Sequence, residues 1–186
     1  LGRRTRQHID QSRRIFAASI QADPADIIIT SCGSESNNTA IIPTALALKG
    51  KGKHLITSAA EHHAVLHPMN YLETLGFEVT YLPVNAAGKV TLQSVKNAVR
   101  EDTILVSLMY VNNEVGSINP IAEIGAFLAE RHILFHTDAV QAYGSEQIDV
   151  GQQHIDLLSV SAHKINGPKG IGFLYRKNSL HLPNFI

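Results

Sequence analysis

Seven short apolar runs recur along the chain, most of them rich in β-branched residues: DIIIT (26–30), KHLITS (53–58), FEVTYLP (77–83), TILVSLMYV (103–111), HILFHTD (132–138), IDLLSVS (155–161) and GIGFLYR (170–176). Most lack polar alternation, so they read as strands buried on both faces. Helical patterns fill the intervals: Arg3 to Gln21, Asn37 to Leu48, His62 to Leu75, Leu92 to Val99 and Ile121 to Glu130. In the first of these, Ile9, Phe16, Ala17 and Ile20 recur at near-helical spacing, and ADPAD stops the pattern. Strands alternating with helices predict an α/β fold, a three-layer αβα sandwich around a mainly parallel mixed sheet. The last two runs are joined with no room for a helix, which predicts an antiparallel pairing at one sheet edge.

Composition narrows the setting. At 186 residues, 44% hydrophobic and 17% charged, the chain can bury a proper core, and the lack of internal repeats or low-complexity linkers makes residues 1–186 one domain. Sixteen basic residues balance sixteen acidic ones, and apart from Arg3, Arg4, Arg6, Arg13 and Arg14 the cations do not gather, so nothing global points to nucleic acid or an anionic membrane. The single cysteine, Cys32, excludes an internal disulfide and suits a reducing cytosol. No apolar run is long enough to cross a bilayer and there is no secretory leader, so the expected location is cytoplasmic. The chain opens on Leu1, already inside a helical pattern, which leads us to expect a fragment.

In sheets of this kind, ligands sit beyond the carboxyl ends of the strands. There DIIIT is followed by SCGSESNN, where Gly33 and Ser34 enter a helix. This is either a serine-rich cap or an anion cradle built from free N–H groups. KHLITS leads to EHHAVLH, whose histidines either lie on the surface of a helix start or serve a flat ligand. His63 and His67 have the spacing of a metal pair, but the H-E-x-x-H arrangement is absent and no cysteine lies nearby to complete a zinc site, so no metal is expected. TILVSLMYV leads to NNEVG, a turn or a rim of amide groups. HILF leads to HTDAVQ, where Asp138 at the end of a buried strand needs a cationic partner, either an arginine or a protonated ring nitrogen, and Gln141 can reach a neighbouring ring substituent. Finally, LLSVSAHK brings together Ser161, His163 and Lys164. The lysine is either a surface residue or, if desolvated, an amine nucleophile towards an aldehyde. Phosphate cradle, stacking imidazole, buried carboxylate, polar donors and an amine together form the set that holds pyridoxal phosphate. Neither a dinucleotide fingerprint nor a Walker loop is present.

Taken in order, TSCGSESNN, EHHAV, VNNEVG, HTDAVQ and SAHKINGPKGIGFLY resemble the class V aminotransferase branch of fold-type I pyridoxal phosphate enzymes, specifically cysteine desulfurases of the NifS and IscS type. The resemblance covers essentially the whole chain. It implies that Lys164 carries the cofactor as a Schiff base, that His62 stacks on the pyridine ring and moves protons, and that Asp138 pairs with the ring nitrogen. It further implies that Gln141 bonds the ring hydroxyl, that Gly33, Ser34, Ser161 and His163 hold the phosphate, and that Asn113 lies near cofactor and substrate carboxylate. The implied reaction converts L-cysteine to L-alanine, with the sulfur kept as an enzyme persulfide for an iron–sulfur scaffold or a tRNA-thiolation protein. Homodimers with cofactor sites near the interface are implied as well.

The same resemblance places the persulfide cysteine and a carboxylate-binding arginine downstream of Ile186, and an amino-terminal segment ahead of the first helix. The chain is therefore expected to be the cofactor-binding large domain without the small domain, and inactive alone. Cys32 stands where the family often has glycine and reads as a small, partly buried residue rather than a nucleophile. Selenocysteine lyase, another class V enzyme, or a truncated non-catalytic domain remain the alternatives.

Overall fold

The computed structural model describes residues 2–180. Twelve principal elements alternate along them: α1 (Gly2–Ser19), β1 (Ile27–Thr30), α2 (Gly33–Leu48), β2 (His54–Ser58), α3 (His63–Thr74), β3 (Glu78–Leu82), α4 (Leu92–Ala98), β4 (Thr103–Met109), α5 (Ile121–Ala129), β5 (Leu134–Asp138), β6 (Leu157–Ser161) and β7 (Gly172–Arg176). Two 3-10 turns, Pro24–Asp26 and Ala162–Ile165, complete them. The strands form one sheet in the order β1-β7-β6-β5-β4-β2-β3.

Burial on both faces follows from the runs of apolar residues. Along β7, Phe173 and Tyr175 point into one core and Leu174 into the other. The first core takes Ala17 from α1, Val95 from α4 and Ile121, Ile124 and Leu128 from α5. The second takes Ala40, Ile41 and Ala45 from α2 with Val65, Met69 and Leu72 from α3. The result is the three-layer αβα sandwich expected from the sequence. β3 is the exception to two-sided burial: it lies at the sheet edge, and Glu78 is exposed.

One expectation is corrected. The antiparallel strand is not at an edge: β7 lies inside the sheet and pairs antiparallel with both β1 and β6. A seven-residue run without a helix can only double back on β6, and β1 then covers the exposed side of the returning strand. Because β7 alone is reversed, β1 runs parallel to β6, β5, β4 and β2. All five therefore present their carboxyl ends on the same side.

Two histidines are built into the sheet. His136 on β5 lies between Ser107 Oγ (2.7 Å from Nδ1) and Ser159 Oγ (3.0 Å from Nε2), and His54 on β2 lies between Thr103 and Thr80. Burial pushes His136 down to about 3, and it lowers His54 as well, where Arg100 adds to the effect. A histidine held neutral in the fold stabilises it above the unfolded value near 6.5, and that contribution is lost as pH falls and the unfolded chain takes up the proton. Between about pH 6 and about pH 3, stability should therefore fall as the pH is lowered, in part through His136. Urea unfolding midpoints across that range should show a shallower fall in His136→Gln than in the parent.

Candidate functional site

The five parallel carboxyl ends converge on one cavity of about 200 Å³. Its wall includes every residue that the family resemblance assigns to the cofactor: Gly33, Ser34, His62, Asn113, Asp138, Gln141, Ser161, His163 and Lys164. Five separate loops contribute, so the parallel order of the sheet is what gathers them.

At one end is the start of α2, which begins at Gly33 rather than at Asn37. Glu35 permits the earlier start, because its carboxylate reaches back and accepts the Ser31 N–H at 2.6 Å. The first N–H groups of α2 have no partner within the helix and face the cavity. Gly33 is needed for close packing here: a Cβ would come within 2.7 Å of Val140 Cγ2 and 3.4 Å of Ser161 Cβ. Ser161 Oγ, at the end of β6, is 2.8 Å from His163 Nδ1, so hydroxyl and imidazole are fixed beside the helix start. Cys32, the residue before α2, also lines the cavity and is half-buried. Burial pushes its thiol up, but the N–H groups of Glu35 and Ser34 and the Ser31 hydroxyl outweigh this, and the net shift is downward.

The floor is Asp138. Its Oδ1 accepts the Val140 N–H at 3.0 Å, and its Oδ2 accepts from Asn37 Nδ2 at 2.7 Å. Burial drives the carboxyl above its ordinary value, against the downward pull of the Val140 N–H, the Asn37 amide and nearby His62. No cationic side chain bonds it among the described residues. The arginine partner admitted by the sequence is thus replaced by two neutral donors, and the need for a cation remains on the cavity side.

His62 caps α3: its Nδ1 accepts the Ala64 N–H at 3.0 Å, which places the proton of the neutral ring on Nε2. Asn112 and Asn113 play different parts. Asn112 is buried, donating to the Ala60 carbonyl and accepting from the N–H groups of Glu114 and Val115, and it builds the turn. Asn113 is exposed at the cavity and donates to Glu114 Oε1 at 2.7 Å. For Lys164 the sequence leaves open a surface position or a desolvated pocket. It lies exposed on the 3-10 turn after β6, at the cavity rim, because that turn leaves the sheet before Asn166 (φ 59°) redirects the chain. His63 and His67 have ring centroids 5.2 Å apart on exposed α3, and no cluster of three metal-ligating side chains is found among the described residues. Among those residues, too, no helix is long and apolar enough to cross a membrane.

Two residues of the site went unassigned in the sequence reading. Asn37 reads from the sequence only as the start of a helical stretch, yet it is buried and holds Asp138. Glu61 was passed over in favour of the histidine after it, yet it is buried behind the same wall, with Oε1 accepting the Met109 N–H at 2.9 Å. The burial cost that singled out Asp138 applies to both.

The donor set fits pyridoxal phosphate. A helix start with two hydroxyls and an imidazole suits a phosphate, a buried carboxylate with only neutral partners suits a protonated pyridine nitrogen, and a primary amine stands at the rim for an aldehyde.

Comparison with known proteins agrees. The family model for aminotransferase class V matches residues 1–183. A Bacillus subtilis (strain 168) relative designated IscS 1 is 55% identical over 181 residues, covering 97% of this chain and 48% of its own. The cysteine desulfurase IscS of Clostridium botulinum (strain Hall) is 50% identical over 183 residues, 98% of this chain and 46% of its own. Among solved structures, SspA in complex with cysteine superposes with a TM-score of 0.96 at 42% identity, covering all of this chain and 54% of that one. A NifS-like protein gives 0.95 at 36% identity, with 100% and 51% covered. The chain spans about half the length of the curated relatives it matches.

Removing the Asn37 amide leaves Asp138 Oδ2 buried without its donor. Asn37→Ala is expected to cost about 1–3 kcal/mol of stability, measurable as a lower urea midpoint with the far-ultraviolet spectrum retained.

Proposed function

The chain belongs to the class V aminotransferase family, and on that footing we propose that it is the cofactor-binding large domain of a pyridoxal phosphate-dependent cysteine desulfurase. The observation that carries this is the convergence of Asp138, His62, the α2 start and Lys164 on one cavity. The relatives named for the activity, and the neighbour solved with cysteine, support the substrate.

Bound here, pyridoxal phosphate would supply an aldehyde that condenses with amines and a ring that draws electrons from the substrate α-carbon. The residues of this chain supply the rest. Gly33, Ser34, Ser161 and His163 anchor the phosphate by N–H, hydroxyl and imidazole groups. Asp138 would hold the proton on the ring nitrogen, since its two donors are neutral and leave its counter-charge to come from the cavity side. Gln141 bonds the ring hydroxyl, and Asn113 stands near the substrate carboxylate. His62, whose Nδ1 is taken by the Ala64 N–H, would stack on the ring and offer Nε2 for moving protons. Lys164 Nζ would provide the amine that holds the aldehyde and, as a free amine, a base within reach of the α-proton of L-cysteine. Its exposure at the rim leaves it free to move between these tasks.

The overall change is L-cysteine plus an enzyme thiol giving L-alanine plus the enzyme persulfide, which balances without an external oxidant. We place that thiol in the part of the protein beyond this chain, with Cys32 as a wall residue. An iron–sulfur scaffold or tRNA-thiolation protein in the cytoplasm as sulfur acceptor, and a homodimer as the working assembly, complete the reading.

Borohydride reduction of the full-length protein loaded with pyridoxal phosphate, followed by peptide mapping, is expected to place the pyridoxyl group on Lys164. Lys164→Ala should lose both the adduct and alanine formation from L-cysteine. Asp138→Ala should weaken cofactor retention. A reducible adduct on another lysine would overturn the assignment.

A further inference from the structure

Behind the cavity wall lie two carboxyl groups rather than one. Glu61 and Asp138 are each about 6% exposed, at the ends of the loop after β2 and of β5, and they flank the carboxyl end of β4. Met109, the last residue of β4, gives its N–H to Glu61 Oε1, and it stands beside Asp138 in the β4–β5 register. Two anions this close in a water-poor interior repel, and one proton shared between them removes the repulsion.

Their hydrogen bonds differ in kind. Asp138 has a donor on each oxygen, one from Val140 and one from Asn37, and so has two reasons to stay ionised. Glu61 has a donor on Oε1 only, whereas its Oε2 is fully enclosed and bonds nothing among the described residues. An enclosed oxygen without a donor is a poor place for charge and a tolerable place for a proton. The surrounding titratable groups do not reverse this. They are Asp138 from β5, the adjoining His62 and His63 at the start of α3, Glu114 from the loop after β4, and Lys164 in the wall of the main cavity. No ion pair ties any of the histidines or Lys164 to Glu61 among the described residues. Burial pushes the Glu61 carboxyl well above its ordinary value, the Met109 N–H pulls it part of the way back, and the charge of Asp138 pushes it up again.

We propose that Glu61 is a positioning residue of this site, held as the neutral acid with its proton on Oε2, so that Asp138 is the only anion beneath the cavity. In that form Glu61 has two effects. Its Oε1 pins the end of β4, and hence the turn carrying Asn112 and Asn113, against the loop that delivers His62. Its neutrality leaves the affinity of Asp138 for a cation undivided and unrepelled. The second effect rests on the pyridoxal phosphate reading; the protonation state itself does not.

The experiment reads protonation directly. Infrared spectra of the full-length protein, freed of cofactor at neutral pH, should contain the carbonyl stretch of a buried carboxylic acid, and carboxyl-13C labelling of glutamate should move it. The shift requires no substitution, so misfolding cannot obscure the result. The band should be lost in Glu61→Gln and kept in Asp138→Asn. Glu61→Gln keeps the acceptor for Met109 and the neutral charge, and should change the pyridoxal phosphate dissociation constant by less than about tenfold, or about 1.4 kcal/mol. Absence of a glutamate band, or a band that survives Glu61→Gln and vanishes in Asp138→Asn, would overturn the proposal. A retained band with no adduct on Lys164 would sink the cofactor reading and leave the proton on Glu61 standing.

Discussion

A carboxylate enclosed at the end of β5 and offered only neutral donors organises this structure. Asp138 is bonded by a backbone N–H and an asparagine amide, and neither supplies a counter-charge. Burying a carboxylate in that condition is costly, and a fold keeps the arrangement only where something else gains from it. The gain lies on the open side, where a cationic group can complete the pair. The surrounding architecture is arranged to keep one side closed and the other open: α2 brings Asn37 in from one layer, and the sheet holds Val140 from below.

The reversal of β7 has a consequence that reaches the site. Were β1 to run against β6, β5, β4 and β2, the start of α2 would emerge at the opposite ends of those strands, and no phosphate cradle could face Asp138. The return strand lets β1 join the sheet parallel to β6 while remaining two positions away from it. Gly33 then sits against Ser161 and Val140, in a space that admits no side chain. The packing of a single glycine thus depends on the direction of a strand that begins only at Gly172, far along the chain.

Much of this was legible from the sequence, and the unread part has a common cause. Apolar runs without alternation announced a buried parallel sheet, and residues after those runs had to lie at the ligand edge, which is why Gly33, Asp138 and Ser161 could be named beforehand. Strand order is not written in a local pattern, so the inner position of β7 was missed. The depth of Lys164 stays open in the sequence, because a strand end followed by a lysine does not say whether the next turn folds inward or outward. Asn37 and Glu61 escaped for another reason: each stands beside a residue with more conspicuous chemistry, and their importance comes from a partner over forty residues away. The early start of α2 depended on Glu35 reaching back to Ser31, a capping arrangement visible in the spacing once it is sought.

The two carboxyl groups at the end of β4 bring these points together. A single buried anion aimed at a ring nitrogen would be weakened by a second anion beside it, yet the loop carrying His62 needs an acceptor for the Met109 N–H. A glutamine at position 61 would meet that need without any titratable group, so the choice of glutamate is not explained by the hydrogen bond alone. A glutamic acid does what glutamine does while neutral and retains a proton that can be given up when the charge beneath the cavity changes. Pairing Asp138 with a cation withdraws the field that helps hold that proton, so filling the cavity should loosen it. The acidity of Glu61 is in this way coupled to occupancy of the site through Asp138, with no movement of the backbone required.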